Sequence, residues 1–489
     1  MTLVLFSQKT PYFVFALALV LRLREYLHNR SLWLDEAHVA LKVLAPSFWD
    51  DILSGNWYQT LPVGIAVLTR VLVAVFGDSE YVLRLLPLLC GLLSFPLLFR
   101  FSREYLKPQL VPLALLLFSV APPLVYYSSE VKQYSSDVFI CLSLLVLAAD
   151  AMRSNFKTRV WPLGLLASLL TWFSFPAVFV CLGIAMAFAA QIPSGERLKK
   201  IAKAVPWAVF WGLSLGLHYF TFLRYISTNS KLVQQWEGWG GFGPSSGSLV
   251  VWARWLVTAL TTFPATIGIS FGRFAAALAL FGAFVLLRSY RPKSYLILAP
   301  AAFLVTAAAA GYYPVLLRVV LFAAPLFLIA LLKGLEAAGC TRFTKVLAWG
   351  AAIILSGQVV VGAAQNFLHP SVREHIRPLL GHLKKELKRG DAVYISQFAS
   401  DAFEYSLRRE PLPAPTFVGQ CRGVPTEVCE KDFLGRVEGA EYLWVFLSHV
   451  TPEERYLLVR IADKWGERLS ELESGNALLL YYHRKEREH

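Results

Sequence analysis

The residues best suited to chemistry form one short polar stretch that follows the first apolar run of the chain. It reads Arg30-Ser31-Leu32-Trp33-Leu34-Asp35-Glu36-Ala37-His38. Consecutive residues of a helix point about 100° apart, so Asp35 and Glu36 cannot face one partner as a symmetric pair. One acid could accept a proton from an acceptor hydroxyl while the other orients a neighbour or a cation. Alternatively, the acids could simply favour the first turn of an amphipathic helix.

Other uses of this stretch are less well supported. Asp35-Glu36-Ala37-His38 spells the nucleotide-hydrolysis motif of a helicase class, but the chain has no Gly-x-x-x-x-Gly-Lys-Ser/Thr phosphate loop. No His-Glu-x-x-His occurs, and no second histidine lies at helical spacing from His38, so zinc is a weak interpretation. The acids could hold Mg²⁺ or Mn²⁺, although two carboxylates without a third oxygen donor nearby are weak evidence for a metal site. His38 could equally be a simple polar contact.

A second polar cluster runs from Tyr126 to Asp137, between two apolar stretches. Polar groups at membrane depth usually line a cavity, which would give Tyr127, Glu130 and Lys132 a role in binding. An aromatic belt beside a solvated turn would explain the tyrosines but not the charges.

A third candidate is Arg318, which follows Gly311-Tyr312-Tyr313-Pro314 and is expected one turn into the next apolar run. Its guanidinium could snorkel to lipid headgroups or hold the phosphate of a lipid carrier. The glycine-rich stretch from Lys231 to Gly247 could be a lid over a cavity or an interfacial loop.

Composition indicates what kind of protein positions these residues. Of the 489 residues, 56% are hydrophobic and only 16% are charged, against roughly 25% in soluble domains. A membrane helix needs about 20 apolar residues, and many such runs occur. The expected fold is therefore an all-α, multi-pass integral membrane protein with about eleven transmembrane helices. They are placed at about 10–27, 82–100, 109–126, 138–152, 160–174, 176–192, 204–222, 274–288, 295–311, 316–332 and 346–363.

The net charge of +14 is explained by topology rather than by nucleic-acid binding. Alternate connections carry sixteen Lys and Arg residues against three Glu, as cytoplasmic loops do under the positive-inside rule. This orientation puts the Asp35-Glu36 stretch, the Tyr126 cluster and the C-terminal tail outside the cytoplasm. It requires Pro62–Phe76 and Leu249–Ile269 to lie in the interface. The first apolar run lacks a small-x-small cleavage site and is read as a retained helix.

The chain divides into a transmembrane domain over 1–365 and a soluble α/β domain over 366–489, which is expected outside the cytoplasm. Helices are predicted at 372–387, 401–408 and 452–463, and strands at 392–396, 442–447 and 477–482. Cys421 and Cys429 lie in this domain, where a disulfide is permitted, but the sequence leaves open whether they are bridged. Cys90, Cys141, Cys181 and Cys340 show no metal-ligand spacing.

These residues carry a resemblance to a known family. The outward Arg-Ser-Leu-Trp-Leu-Asp-Glu-Ala stretch, followed by Leu61-Pro62-Val63-Gly64, Phe76-Gly77-Asp78-Ser79-Glu80 and Leu83-Arg84-Leu85, resembles the GT-C superfamily of polyprenyl-phosphate-sugar-dependent glycosyltransferases. The pattern is nearest to protein O-mannosyltransferases and the aminoarabinose transferase of lipid A. It covers the chain from residue 10 to about 365.

The resemblance implies inverting transfer of a sugar from a polyprenyl-phosphate donor to a lipid, glycan or protein hydroxyl, outside a bacterial inner membrane. By position, Asp35 would be the catalytic base and Glu36 a supporting acid. Lys132 and Arg318 would neutralise the leaving phosphate, and Tyr127 and Glu130 would border the sugar. His38 is assigned with them to substrate binding, although Val39-Ala40 replace the Phe-Gly that follows the histidine of the mannosyltransferase pattern. That pattern also has His-Pro-Pro-Leu-Gly where Thr60-Leu61-Pro62-Val63-Gly64 stand here, which argues against protein mannosylation as such.

Two other function classes remain open at this point. A transporter or flippase of lipid-linked sugars is one, but no paired internal repeat is visible. A scaffold for envelope glycan assembly with an inactive site is the other. Release of sugar from the carrier would distinguish an enzyme from both.

Overall fold

The computed structural model describes residues 9–54, 61–154, 160–193, 195, 197–224, 230–316 and 318–485. Two compact units are present. The first comprises Met1–His28 and Pro46–Pro370, and the second comprises Asn29–Ala45 and Ser371–His489. The stretch that carries Asp35 therefore belongs to the second unit by its contacts, although the sequence analysis places it in the transmembrane domain.

The helices up to residue 368 are α1 Thr10–His28, α2 Leu34–Leu44, α3 Phe48–Leu53, α4 Val63–Phe76, α5 Glu80–Ser102, α6 Val111–Val120, α7 Pro122–Tyr126, α8 Tyr134–Arg153, α9 Val160–Leu170, α10 Ala177–Gln191, α11 Arg197–His218, α12 Ser230–Gly238, α13 Leu249–Thr262, α14 Gly272–Ser289, α15 Tyr295–Ala309, α16 Ala324–Ala338 and α17 Arg342–Leu368. All but α2 belong to the first unit. Their apolar composition makes the chain an integral membrane protein.

Within the described ranges, six helices are long and apolar enough to cross a membrane, or seven if the bent pair α6 and α7 forms one span. The count of about eleven spans stays a prediction. Leu249–Ile267 belongs to the six, although the sequence analysis assigns it to the interface. The helical path continues past Pro264 because this proline lies at the start of a short 3₁₀ turn, where a missing N–H costs little. α4 has only 14 residues, fewer than a span needs.

Helices α14 and α16 approach each other through facing glycines. A Cβ atom on Gly282 would fall onto the carbonyl oxygen of Ala330, and one on Gly334 would fall onto that of Leu278. Small residues allow such backbone contact, which favours association of helices within a membrane.

Gly334→Ala is therefore expected to destabilise the first unit by about 1 to 3 kcal/mol, because a backbone carbonyl cannot move aside as a side chain can. Thermal unfolding of the detergent-solubilised protein measures the loss. Gly357→Ala is the matched control, since nothing lies within 4 Å of its added methyl group, and its unfolding temperature should be unchanged or slightly raised. An equal effect of both variants would contradict the packing argument.

The second unit is a mixed α/β fold. Its strands are β1 Ala392–Ile395, β2 Thr416–Val418, β3 Tyr442–Leu447, β4 Gly466–Ser474 and β5 Ala477–Arg484. Among the described residues they form a sheet in the order β2-β1-β3-β5-β4. β1 pairs in parallel with β2 and β3, whereas β5 pairs antiparallel with β3 and β4. The helices outside α2 are α18 Ile376–Glu386, α19 Ser400–Leu407, α20 Thr426–Arg436 and α21 Pro452–Trp465.

Most predicted elements of this unit are present, but the strands β2 and β4 and the helix α20 are not anticipated by the sequence analysis. β4 is an edge strand with the polar sequence Gly-Glu-Arg-Leu-Ser-Glu-Leu-Glu-Ser, so it lacks the apolar run that identifies a buried strand. The first helix begins at Ile376 rather than at residue 372. Cys421 and Cys429 form a disulfide, which answers the question that the sequence leaves open.

Candidate active site

Asp35 and Glu36 occupy the first turn of α2, in different surroundings. The helix begins after Trp33, whose extended backbone serves as the N-cap without a side-chain hydrogen bond. Asp35 is partly exposed, whereas Glu36 is fully buried. Both acids are favoured at this end of the helix by its dipole. Consecutive residues of a helix point about 100° apart, which accounts for this difference in burial.

The backbone that leads into α2 is held by residues of its own unit. One guanidinium nitrogen of Arg377 donates a hydrogen bond of 2.6 Å to the carbonyl oxygen of Asn29. Burial lowers the pKa of Arg377, and the charges of Tyr405 and Glu36 oppose this effect. The Glu36 carboxylate therefore interacts electrostatically with the Arg377 guanidinium.

His38 lies one turn after Asp35 on α2, and its side chain is 48% exposed. Its Nδ1 atom lies 2.7 Å from Oδ2 of Asp401 on α19. The sequence analysis assigns His38 to substrate binding. The structure gives the ring a carboxylate partner from the protein itself.

The second cluster is buried in the first unit. Tyr127 begins a short 3₁₀ turn, and α8 starts at Tyr134, four residues earlier than predicted. Tyr127 and Lys132 are each 6% exposed, and Glu130 is fully buried. The rings of Tyr127 and Tyr134 meet edge to face at 5.0 Å. The three predicted residues of this cluster thus lie in one buried segment of the first unit.

The first unit also buries charges that the sequence reasoning does not assign to a site, among them Arg22 and Glu25 on α1, Arg84 on α5 and Asp150 on α8. These residues could have been found from the sequence, because each of them is a charged residue within an apolar run. Intramembrane ionisable residues are candidates for function or for satisfying backbone groups.

The contacts of Arg22 explain its burial. Its guanidinium donates hydrogen bonds to the carbonyl oxygens of Ser119 at 3.1 Å and Phe118 at 3.5 Å. In a continuous helix these carbonyls would accept from residues 122 and 123, which are Pro122 and Pro123 and have no N–H. Arg22 replaces the two missing donors at the 60° bend between α6 and α7. This bend leads directly into the buried turn at Tyr127.

Gly91 on α5 permits close contact with that turn. A Cβ atom at this position would lie 2.8 Å from Cβ of Ser128 and 3.0 Å from Oγ of Ser135. The missing side chain is what lets the polar segment lie against α5.

Gly91→Ala should therefore displace the turn, with a loss of about 1 to 3 kcal/mol in the free energy of unfolding. Thermal unfolding in detergent is the measurement. Gly350→Ala on α17, where nothing lies within 4 Å of the added methyl group, is the control. Normal stability of Gly91→Ala would show that the turn tolerates the shift.

Arg318 lies outside the helix in which it is expected. The residues from Arg318 to Val320 form a turn, and the helical path starts only at Leu321, so Arg318 precedes α16 and is half-buried. The Tyr313 hydroxyl donates to the carbonyl oxygen of Val319 at 3.1 Å. The N–H of Val315 donates to the carbonyl oxygen of Gly241 at 2.7 Å. The glycine-rich stretch considered as a lid is thus bonded to the backbone just before Arg318, and its first part is helix α12.

The described part of the chain contains no group of three His, Cys, Asp or Glu side chains arranged to hold a metal ion. Asp35, Glu36 and His38 lie in the second unit, whereas Tyr127, Glu130, Lys132 and Arg318 lie in the first. The acids and His38 are thus described within the second unit, and the Tyr127 turn and Arg318 within the first.

Comparison with known proteins gives concordant results. Residues 61–221 match the dolichyl-phosphate-mannose-protein mannosyltransferase family. The structure is similar to ArnT from Cupriavidus metallidurans bound to undecaprenyl phosphate, with a TM-score of 0.51 and 12% identity over 97% of this chain and 98% of that one.

The structure is also similar to the oligosaccharyltransferase of Archaeoglobus fulgidus. In its complex with zinc and sulfate, the TM-score is 0.54 with 14% identity over 96% of this chain and 73% of that one. In the form tethered to an acceptor peptide, the TM-score is 0.54 with 12% identity over 98% and 74%. No curated protein sequence matches the chain. The match over residues 61–221 indicates a glycosyltransferase, and the chain shares the fold of these two enzymes.

Proposed function

We propose that this glycosyltransferase moves a sugar from a polyprenyl-phosphate donor to a hydroxyl of a lipid, glycan or protein, with inversion at the anomeric carbon. The observation that carries the proposal is the burial of Glu130 and Lys132 in one turn of an apolar membrane unit. Buried charges are costly in such surroundings and mark substrate sites by default. The similarity to ArnT bound to undecaprenyl phosphate supports a lipid-phosphate carrier.

The transfer is a single displacement. The acceptor oxygen attacks the anomeric carbon, the bond from that carbon to the phosphate oxygen breaks, and the acceptor proton passes to Asp35. A carboxylate base placed this way raises the reaction rate by roughly 10²- to 10⁴-fold. Asp35 is the partly exposed acid of the pair, so it can meet an acceptor hydroxyl, while the buried Glu36 supports it.

The leaving group is a phosphate that gains negative charge. Lys132 and Arg318 neutralise it, and a low-dielectric site strengthens that attraction. Tyr127 and Glu130 border the sugar. A divalent cation such as Mg²⁺ or Mn²⁺ is a further proposal. Asp35 and Glu36 are the acids that would hold it, and it would supply positive charge.

The basic loops support a site at the outer face of the membrane, which we propose is a bacterial inner membrane. The second unit would then be extracytoplasmic, where the Cys421–Cys429 disulfide is stable.

Reconstituted protein tests the proposal. Proteoliposomes are supplied with a panel of polyprenyl-phosphate sugars and candidate acceptors, and free polyprenyl phosphate is measured by mass spectrometry. We expect acceptor-dependent release from one donor. Movement of an intact donor across the bilayer without release would favour a flippase, and neither movement nor release from any donor would favour a scaffold.

A further inference from the structure

The carboxylate helix α2 is held by the C-terminal part of the chain. Asn29–Ala45 groups with Ser371–His489 although more than 300 residues separate them in sequence. α2 has 11 residues, and a helix of this length is marginal in water without packing. Contacts within the second unit therefore contribute to its orientation.

Contacts before the acids fix the start of the helix. The Arg373 guanidinium lies 4.2 Å from the centre of the Trp33 ring, and the His449 ring lies 6.0 Å from it on a tilted plane. Nδ1 of His449 lies 2.6 Å from Oε1 of the buried Glu374. His449 has φ of +55°, an uncommon conformation for a residue other than glycine. A residue held in this conformation points to a local requirement for its ring position.

One contact follows the acids. His38 lies three residues after Asp35, so both side chains project from the same face of α2 on neighbouring turns. The 2.7 Å contact between His38 and Asp401 therefore ties the face that carries Asp35 to α19.

We propose that Asp401 is a positioning residue for sugar transfer, acting through His38 on the orientation of Asp35. This inference rests on the proposed role of Asp35 as base. The pair is largely exposed, with side chains 48% and 27% accessible, and such pairs add little to stability. The contact would act by positioning Asp35, because a small misplacement of a reacting group can lower the reaction rate roughly 10²-fold.

The test compares Asp401→Ala, His38→Ala and the double variant in proteoliposomes of the full-length protein. We expect kcat to fall about 10- to 100-fold in each single variant, while KM for the donor stays within about twofold of wild type. The double variant should be no slower than the slower single variant, because the contact is already lost. Asp401→Glu should recover part of kcat. Glu410→Ala, which removes the exposed ion pair with Lys384 just after α19, is the control and should retain full kcat.

Several results would overturn the inference. Wild-type kcat in Asp401→Ala would do so, as would losses that multiply in the double variant. A raised acceptor KM in His38→Ala alone would return His38 to a direct role in substrate binding.

Hydrogen exchange of the backbone amides of residues 34–44 gives a second measurement that does not depend on turnover. Asp401→Ala should exchange faster there, and Glu410→Ala should not. If the wild-type protein releases no carrier, the proposed function fails, and the exchange result alone then decides whether Asp401 orders α2. Equal exchange in Asp401→Ala and wild type would reject the inference.

Discussion

Replacement of Asp35 with asparagine is expected to lower sugar transfer by roughly 10²- to 10⁴-fold, the contribution of a general base. Asparagine has nearly the same size as aspartate and keeps an oxygen that can accept hydrogen bonds, but it cannot take the acceptor proton. The partly exposed position of Asp35 in the first turn of α2 means that the change costs little folding energy. Turnover of the donor in proteoliposomes measures the effect.

Two comparisons make this result specific to Asp35. Asp50→Asn alters an exposed acid in the first turn of α3 and should keep full turnover. Binding of undecaprenyl phosphate to Asp35→Asn, measured by native mass spectrometry, should match the wild type, because the base contacts the acceptor. Unchanged turnover in Asp35→Asn would remove the residue from the mechanism.

Replacement of Arg318 with alanine is expected to weaken binding of undecaprenyl phosphate about 10- to 100-fold. Hydrogen bonds to charged groups contribute about 1.5 to 3 kcal/mol, and a guanidinium can contact a phosphate through two parallel bonds. Arg318→Lys should lose less affinity than Arg318→Ala, because lysine keeps the positive charge but cannot make the two parallel hydrogen bonds. Titration of the detergent-solubilised protein with undecaprenyl phosphate provides the dissociation constants.

The control for Arg318 is Arg342→Ala. Arg342 is exposed at the start of α17, in a loop that the charge pattern assigns to the cytoplasmic side. Its loss should leave the affinity unchanged. Wild-type affinity in both Arg318→Ala and Arg318→Lys would reject the phosphate role and leave Arg318 with a role at the lipid headgroups.

The sequence was most informative where a local pattern determines structure. The apolar runs predicted α1, α5, α8 and α17 to within about four residues at each end, with α17 longer at its C-terminal end. The helical spacing of the acids of α2 predicted different roles for them, and the structure shows that their burial differs. Arg318 was placed wrongly because a glycine and proline-rich turn extends further along the chain than the apolar run indicated.

Contacts between distant parts of the chain could not be predicted. His38 and Asp401 are 363 residues apart. No sequence motif or helical spacing links two residues at that distance. The role of Arg22 depends on the position of α1 beside the bend at Pro122, which one sequence does not reveal. The edge strand β4 was missed because its exposed face is polar.

The central claim is tested most directly in cells that lack the gene, by mass spectrometry of their lipid-linked sugars after complementation with wild type, Asp35→Asn or Asp50→Asn. We expect one polyprenyl-phosphate sugar to accumulate in the deletion strain and with Asp35→Asn, and to return to its normal level with wild type and Asp50→Asn. Equal levels of every polyprenyl-phosphate sugar in all four strains would contradict the account.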